Sequence, residues 1–472
     1  MSLNVCRRII YWLIGGYNHD FKCIKHKRIC VIGIGVSNTP LIKKLLASGC
    51  DVTACDKRTA EQLGQEHTEL SKLGAKFYLG EDYLEHLDFD IIFRTPGLMP
   101  FDGHLQKAVE RGAELTSEME LFMKLCPCKI FAVSGSDGKT TTTTIISELL
   151  KAQGYTVHLG GNIGRPLLCD VDNMNETDVA VLELSSFQLH SMVCKPDVAV
   201  ITNISPNHLD KHKDYQDYID AKSSIFAYQD EHDRLVLNHE NEFSAYYAGK
   251  AKSSISYFSR AMKPDSGVYC TDGYIYRVHD GSSQKLMAAD DIKLPGTHNL
   301  ENYMAAFAAT DGYVDDDTCI SVAKSFSGVE HRLEQVRVLN GVTFINDSIG
   351  TSPTRTAAGL HALKQKPILI AGGYDKHIPF DELGDEICLH VKKLYLTGAT
   401  TEKIYDAVTK SKYFDGSLPI EKIDNFKDTV LAAANSAHDG DIVLLSPACA
   451  AFDKFKNFME RGKYFKQIVM EL

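Results

Sequence analysis

The stretch IFAVSGSDGKTTTTT, residues 130–144, constrains the fold of this chain more than any other. A short apolar run, Ile130–Val133, enters a glycine-containing turn, and Lys139 and five consecutive threonines follow. Glycines let backbone N–H groups turn inward around an anion, and the start of the following helix adds its dipole. Lys139 supplies a point charge for terminal phosphates, and Thr140 a hydroxyl able to hold magnesium. Threonines are indifferent helix formers, so five of them are not there for helix propensity. The common phosphate loop carries a glycine five residues ahead of its Gly-Lys pair. Val133 occupies that place here, and Gly135 makes a shorter G-x-x-G-K-T. A plain strand–turn–helix is the structural alternative, and the residue set favours phosphate binding over it.

The same rhythm runs through the chain. From Arg28 to about Thr116, RICVIGIG, DVTACD, KFYLG and DIIFRTPG read as buried strands, with PLIKKLLASG as a helix between the first two. Gly33-x-Gly35 stands where a dinucleotide fold places its glycine turn, and Asp56 lies at the expected distance beyond. Asn38 replaces the third glycine, so nicotinamide binding is the weaker reading. A second block, Cys128 to about Ser327, holds DVAVLELSS and PDVAVITNIS as strands. It continues with a helix from Asp214 to Tyr228, a polar stretch of alternating strand pattern at 250–292, and GTHNLENYMAAFAA as a helix. A third block, from about Gly328, carries VTFINDS, PILIAGG, KKLYLTG and DIVLLSP, each a strand ending in a small or polar turn. At 472 residues the chain is too long for one core. The expected fold class is α/β with three domains. These are a Rossmann-like N-terminal domain (28–125), a central P-loop ATPase-type domain with a mostly parallel sheet (126–327) and a Rossmann-like C-terminal domain (328–472). An extension, 1–27, precedes them.

Composition narrows the function. A net charge of −11 argues against a general nucleic-acid binder. The thirteen cysteines are scattered through apolar runs and read as reduced core residues. Cys126-Pro127-Cys128 has no second cluster to complete a metal site. The run IIYWLI at 9–14 is far too short to span a bilayer and lacks a signal-peptide cleavage site, so a cytoplasmic protein is expected.

A magnesium nucleotide needs further ligands. Glu183 is a carboxylate at the end of the otherwise apolar strand VAVLE. The next strand leads into Pro206-Asn207-His208-Leu209-Asp210, the kind of strand-end loop where such folds hold ligands.

Taken together, these motifs resemble the Mur ligase family. The matching segments are GSDGKTT at 135–141, GNIG at 161–164, ELSSFQL at 183–189, NISPNHLD at 203–210 and GTHNLENYMAA at 296–306. FINDSIGTSP and LLSPACAAFDKFKNFMERG point to the D-glutamate-adding branch. The resemblance covers residues 28–472. It implies an ATP-dependent amide-bond ligase that joins D-glutamate to UDP-N-acetylmuramoyl-L-alanine through an acyl phosphate, in peptidoglycan precursor synthesis. It also implies two magnesium ions, no nucleic acid or membrane insertion, and a monomer.

Carried over by position, Gly135, Ser136, Asp137, Gly138, Lys139, Thr140 and Thr141 would cradle ATP. Asn299, Asn302, Arg332 beside His331, and Asp347 would also touch it. Thr140 and Glu183 would contact the nucleotide magnesium and His208 the second ion. Lys222, which the residues alone read as a solvated helix lysine, aligns with a lysine carbamylated in the family, a metal-bridging anion. Lys139, Glu183, His208 and Lys222 form the expected catalytic set. Ser37, Asp56, Lys57, Arg58 and Gly97 would line the UDP edge, and Asn162, Ser185 and Gln188 the muramoyl-alanine. Thr351, Lys376 and Phe458 would receive D-glutamate. Two positions depart from the family pattern: Ile349 stands where a lysine is common, and Ala451 where a serine is common. Both remove contacts to the incoming amino acid.

Overall fold

A computed structural model describes residues 24–35, 37–164, 166–206, 212–279, 281–294, 296–375 and 379–472. His208 and Lys376, and the apolar run at 9–14, lie outside the described residues. The chain divides into two compact units, one ending at Phe326 and the other spanning Ser327–Leu472. The architecture is mixed α/β, built on three mostly parallel sheets.

The first unit carries two of the sheets. One holds β1 (Arg28–Ile32), β2 (Asp51–Asp56), β3 (Lys76–Leu79), β4 (Ile91–Phe93) and β5 (Glu114–Thr116), all parallel, in the order β3-β2-β1-β4-β5. The strand order reverses between β1 and β4, the place where open α/β sheets bind ligands. There the loops after the two strands meet, since a Cβ on Gly33 would lie 3.2 Å from Thr95 Cβ.

The other holds β6 (Lys129–Ser134), β7 (Val157–Gly161), β8 (Val179–Glu183), β9 (Val198–Ile201), β10 (Arg234–Asn238), β11 (Ser254–Ser259), β12 (Gly267–Thr271), β13 (Tyr274–His279) and β14 (Ser282–Ala288). Their order is β14-β13-β12-β11-β10-β9-β6-β8-β7, and only the last hairpin region, β12 to β14, is antiparallel. β6 is central, between β8 and β9, so the ends of those strands flank the loop that leaves it. These strands are buried on both faces, which is why they read as unbroken apolar runs rather than alternating ones. The helix Lys139–Ala152 buries Ile145, Ile146, Leu149 and Leu150 in the same apolar cluster as Tyr303–Ala309 of the helix Thr297–Ala309.

The second unit has β15 (Glu334–Leu339), β16 (Val342–Asn346), β17 (Ile368–Ala371), β18 (Lys393–Leu396), β19 (Ile420–Lys422) and β20 (Ile442–Leu445), in the order β15-β16-β20-β17-β18-β19. Only β15 and β16 run antiparallel.

Two local expectations change. The helix expected to reach Tyr228 is Tyr215–Ser223, capped by the Asp214 carboxylate, which accepts from Asp217 N–H at 2.8 Å. Beyond it Ser224, Ile225 and Phe226 bond three residues back, in successive turns that bury Ile225 and Phe226. Strands β5, β15 and β19 are edge strands with few fully buried positions, and their weak apolar pattern did not announce them. The eleven cysteines among the described residues are all free. No helix among those residues is long and apolar enough to cross a membrane.

Candidate active site

The loop after β6 is shaped by two glycines at positive φ, Gly135 at +142° and Gly138 at +77°. A Cβ on Gly135 would drive into the Thr202 hydroxyl, and one on Gly138 into the Asn302 amide oxygen. Gly135→Ala therefore unfolds more easily, by roughly 2–4 kcal/mol in urea denaturation, from backbone strain and the clash together. The β9 side holds the loop in place. Asp137 N–H donates to Asn203 Oδ1 at 2.9 Å, and Ser136 N–H to the Asn203 carbonyl at 2.9 Å. The Ser136 hydroxyl lies 2.7 Å from Tyr218 Oη and donates to the Ser205 carbonyl at 3.0 Å.

The threonine run divides its labour by helical position. The Thr140 hydroxyl donates to Glu183 Oε2 at 2.6 Å, and the Thr142 hydroxyl to Asn302 Oδ1 at 3.2 Å. Thr143 and Thr144 donate back to the carbonyls of Lys139 and Thr140, each at 2.8 Å, a local bond that helical threonines favour. Thr141 is partly exposed on the first turn. Asn302 Nδ2 donates in turn to Asn299 Oδ1 at 3.3 Å. Lys139 Nζ rests on the Ser136 carbonyl at 2.8 Å, at the positive end of its helix.

Glu183 is 2% exposed, and its second oxygen accepts from Asn162 Nδ2 at 2.8 Å. Thr140 and Glu183 are thus paired hard-oxygen donors beside a helix N-terminus. Lys222 is 2% exposed rather than solvated. Its Nζ donates to the Gly135 carbonyl at 2.7 Å and lies 4.7 Å from the centre of the Tyr218 ring. Burial, and secondarily the like charge of Lys139, hold the Lys222 amine well below the usual lysine range.

At the end of β2, beside the β1 glycine loop, the Asp56 carboxylate accepts from Ile34 N–H at 2.7 Å and Arg58 N–H at 2.9 Å, and pairs with the Arg58 guanidinium at 2.9 Å. These bonds outweigh its burial and leave its pKa below the ordinary value. Asp56 and Arg58 therefore shape the glycine loop. Lys57 and Ser37 are exposed, and Gly97 lies in the turn closed by Leu98 N–H on the Thr95 carbonyl. Asn38, in the third-glycine position, is buried and donates to the Ile32 carbonyl at 2.9 Å. Ser185 and Gln188 form a reciprocal capping box on the short helix Ser186–Leu189.

Several residues here carried no sequence signal of their own. His212 is buried, with Nε2 3.0 Å from Ser186 Oγ and Nδ1 3.0 Å from Asp217 Oδ2. His190 Nε2 contacts the same carboxylate at 2.9 Å. The group ties the ELSSFQL turn to the helix that carries Lys222. Arg94 is also buried, and donates to the Phe187 carbonyl at 2.8 Å and to Ser191 Oγ at 3.0 Å, joining β4 to the same turn. Burial pushes its pKa down to about 10. Only the position of His212, two residues past Asp210, could have drawn notice to it.

In the second unit, Asp347 follows β16 and is buried. Its oxygens accept from Leu333 N–H at 3.2 Å and Ser446 Oγ at 2.7 Å. Burial raises its carboxyl from 3.8 to about 6. The folded state therefore holds the extra proton between those values, and stability falls as pH rises through that window. That shift costs about 3 kcal/mol by pH 7, and the fall is expected to disappear in Asp347→Asn when urea unfolding is measured from pH 3.5 to 7. Arg332 is exposed, while His331 beside it is buried at φ +66° with Nδ1 2.9 Å from Asn346 Nδ2. The Phe458 ring stands edge-on to His331 at 6.2 Å. The buried Arg461 guanidinium bonds the carbonyls of Ser348 at 2.9 Å, Cys449 at 3.0 Å and Ala450 at 3.1 Å. It thereby staples the loop bearing Thr351 to the loop bearing Ala451. Ile349 is half-buried and Ala451 is buried.

Comparison with known proteins places the chain in a family. Residues 133–310 match the Mur ligase middle domain, and residues 331–449 the Mur ligase glutamate ligase domain. A UDP-N-acetylmuramoylalanine–D-glutamate ligase of Ruminiclostridium cellulolyticum is 51% identical over 455 residues, covering 96% of this chain and 98% of its own. The like-named protein of Acetivibrio thermocellus is 50% identical over 457 residues, with 96% and 98% covered. Among solved structures, UDP-N-acetylmuramate-alanine ligase MurC from Thermotoga maritima has a TM-score of 0.53 at 17% identity, over 94% of this chain and all of that one. MurF from Acinetobacter baumannii has a TM-score of 0.51 at 16% identity, over 91% of this chain and 87% of that one. At these identities the structural likeness speaks for the fold alone. With relatives about half identical along nearly its whole length, and both family domains matched in order, the chain belongs to the Mur ligase family.

Proposed function

We propose that this chain uses ATP to join D-glutamate to UDP-N-acetylmuramoyl-L-alanine, a step of peptidoglycan precursor synthesis. The names of its half-identical relatives support the substrates. The observation that carries the chemistry is the cluster around the β6 loop. Lys139, a Thr140–Glu183 oxygen pair and a buried lysine whose pKa burial holds well below the usual range converge there on a glycine cradle.

A carboxylate is a poor electrophile because oxide would have to leave. Transfer of the terminal phosphoryl group of ATP to the alanyl carboxylate releases ADP and gives an acyl phosphate. The D-glutamate nitrogen then attacks the carbonyl carbon and loses a proton. The C–O bond to phosphate breaks, leaving the amide and inorganic phosphate. The protein must hold two anions together while charge moves between them, so positioned cations and N–H donors carry most of the catalysis. Lys139 and the loop amides take the phosphates, with Ser136, Asp137, Thr141, Asn299 and Asn302 around them.

Thr140 and Glu183 fit magnesium, which takes oxygen ligands. Bound there, it would neutralise negative charge on the phosphates. Lys222 fits carbamylation, because only a neutral amine adds to carbon dioxide and its surroundings favour the neutral form. The carbamate, with His208, would serve a second ion. Ser37, Asp56, Lys57, Arg58 and Gly97 are assigned to the uridine diphosphate, and Asn162, Ser185 and Gln188 to the muramoyl-alanine. In the second unit, Arg332 and Asp347 are assigned to nucleotide, and Thr351, Lys376 and Phe458 to D-glutamate. With Ile349 and Ala451 offering no polar side chain, Lys376 and backbone amides carry the acceptor's carboxylates. The corresponding modules are 28–125, 126–327 and 328–472, working in the cytoplasm as a monomer.

The test is phosphate release from ATP and magnesium with UDP-N-acetylmuramoyl-L-alanine and either D- or L-glutamate. Release is expected with D-glutamate only. Equal rates with both, or release that needs a different sugar-peptide, overturns the reading.

A further inference from the structure

Away from the nucleotide loop, the helix Pro353–His361 and the helix Asp381–His390 end beside one another. Each terminates on a histidine, and the two imidazole rings lie 4.8 Å apart between centroids. Glu386, four residues before His390 and so on the same helical face, sits between them. Its Oε2 lies 2.5 Å from His361 Nε2 and 3.4 Å from His390 Nε2. The candidate ligand atoms of all three residues fall within 4.8 Å of one another. We propose that His361, Glu386 and His390 form a binding site for a single divalent transition ion of the zinc class on the surface of the second unit.

Four features support it. First, the donor set is two imidazoles and one carboxylate, which suits zinc, nickel or cobalt, whereas magnesium prefers an all-oxygen shell. Second, the backbone is anchored while the side-chain heads face water. Leu360, Leu383 and Ile387 are buried in the core, and the side chains of His361, Glu386 and His390 are 55%, 28% and 42% exposed. Third, two helix C-termini converge, so their partial negative charges add to that of Glu386 and attract a cation. Fourth, the spacing is close to what an ion needs. Zinc bonds of about 2.1 Å set tetrahedral ligands about 3.4 Å apart. The Glu386–His390 distance already matches, and the Glu386–His361 distance has to open by less than about 1 Å. A half-exposed imidazole makes that adjustment by small rotamer motion. Three protein ligands leave the remaining position to water.

The site is distinct from the amino-acid residues assigned above. His361 closes the helix whose first turn follows Thr351, about 12 Å along the axis. The other histidine-rich group in the described residues, His190, His212 and Asp217, is more enclosed, and His212 already contacts Ser186 and Asp217.

The experiment titrates metal-free, full-length protein with Co2+ in excess magnesium, reading visible d–d absorption and calorimetric stoichiometry. The double variant His361→Ala/His390→Ala is measured alongside, so that cysteines and the nucleotide site cancel in the difference. Wild type is expected to bind one more equivalent than the variant, and Zn2+ to displace it. Glu386→Gln keeps the fold-defining residues and is expected to weaken that equivalent by roughly ten-fold or more. Equal stoichiometry and affinity in wild type, the double variant and Glu386→Gln overturns the proposal. It then leaves the three residues as a histidine–glutamate contact cluster only.

Discussion

Lys139→Ala lowers kcat/KM for ligation by about a thousand-fold or more, with the fold intact. The lysine is the cation at the mouth of the β6 loop, held by the Ser136 carbonyl at the positive end of the helix Lys139–Ala152. On the proposed assignment, phosphoryl transfer between two anions would lose a positioned protein charge when that amine is removed. A single preorganised donor in such a site is worth about 10²–10³ in rate, and a full charge no less. A thousand-fold loss corresponds to about 4 kcal/mol of transition-state stabilisation. The helix should survive, because the bond from Thr143 goes to the Lys139 backbone carbonyl rather than to its side chain. Single-turnover kinetics with matched circular dichroism and Tm check the result. Near-wild-type turnover refutes the loop assignment.

Lys222→Ala is expected to be equally inactive and to recover substantially when short carboxylates such as formate or acetate are added. Among the described residues no carboxylate pairs directly with the Lys222 amine, which donates to the Gly135 carbonyl at 2.7 Å and, at 3.5 Å, to Ser134 Oγ. A charged ammonium in that place is costly, and the lowered pKa favours the neutral amine that the proposed carbamylation requires. An added carboxylate restores the oxygens that the carbamate would carry. A structural lysine would not be rescued, so a folded but unrescued variant counts against carbamylation. The pH dependence carries the same sign. The unmodified amine binds its proton more weakly folded than unfolded, so its cost to stability shrinks as pH rises toward 10.5. Urea unfolding of carbon-dioxide-free protein should show that gain, and Lys222→Met should not.

Where a side chain's role depends on neighbours close in the chain, the sequence was legible. Glu183 stood out because a strand buried on both faces has no reason to end on a carboxylate, and the structure pairs it with Thr140. The strands VTFIN, ILIA, KLYL and IVLL were readable for the same reason, since parallel strands covered on both faces are uninterrupted apolar runs. Edge strands such as β19 bury little, so no pattern marked them.

Lys222 is the clearest opposite case. Nothing within a few residues distinguishes it from a solvated lysine on the polar face of a short helix. It is buried because that helix lies against the β6 loop, from which it is separated by more than eighty residues of chain. His212, Arg94 and Arg461 are of the same kind, each defined by carbonyls and carboxylates brought from distant segments. The order of glycines, lysine and threonines by itself determined a glycine-shaped strand–helix turn with Lys139 at the helix N-terminus, because backbone φ and a helix N-terminus are local properties. Which amine has its pKa lowered and which carboxylate bonds the loop threonine was decided only by tertiary structure, because desolvation and charge repulsion depend on what packs around a group.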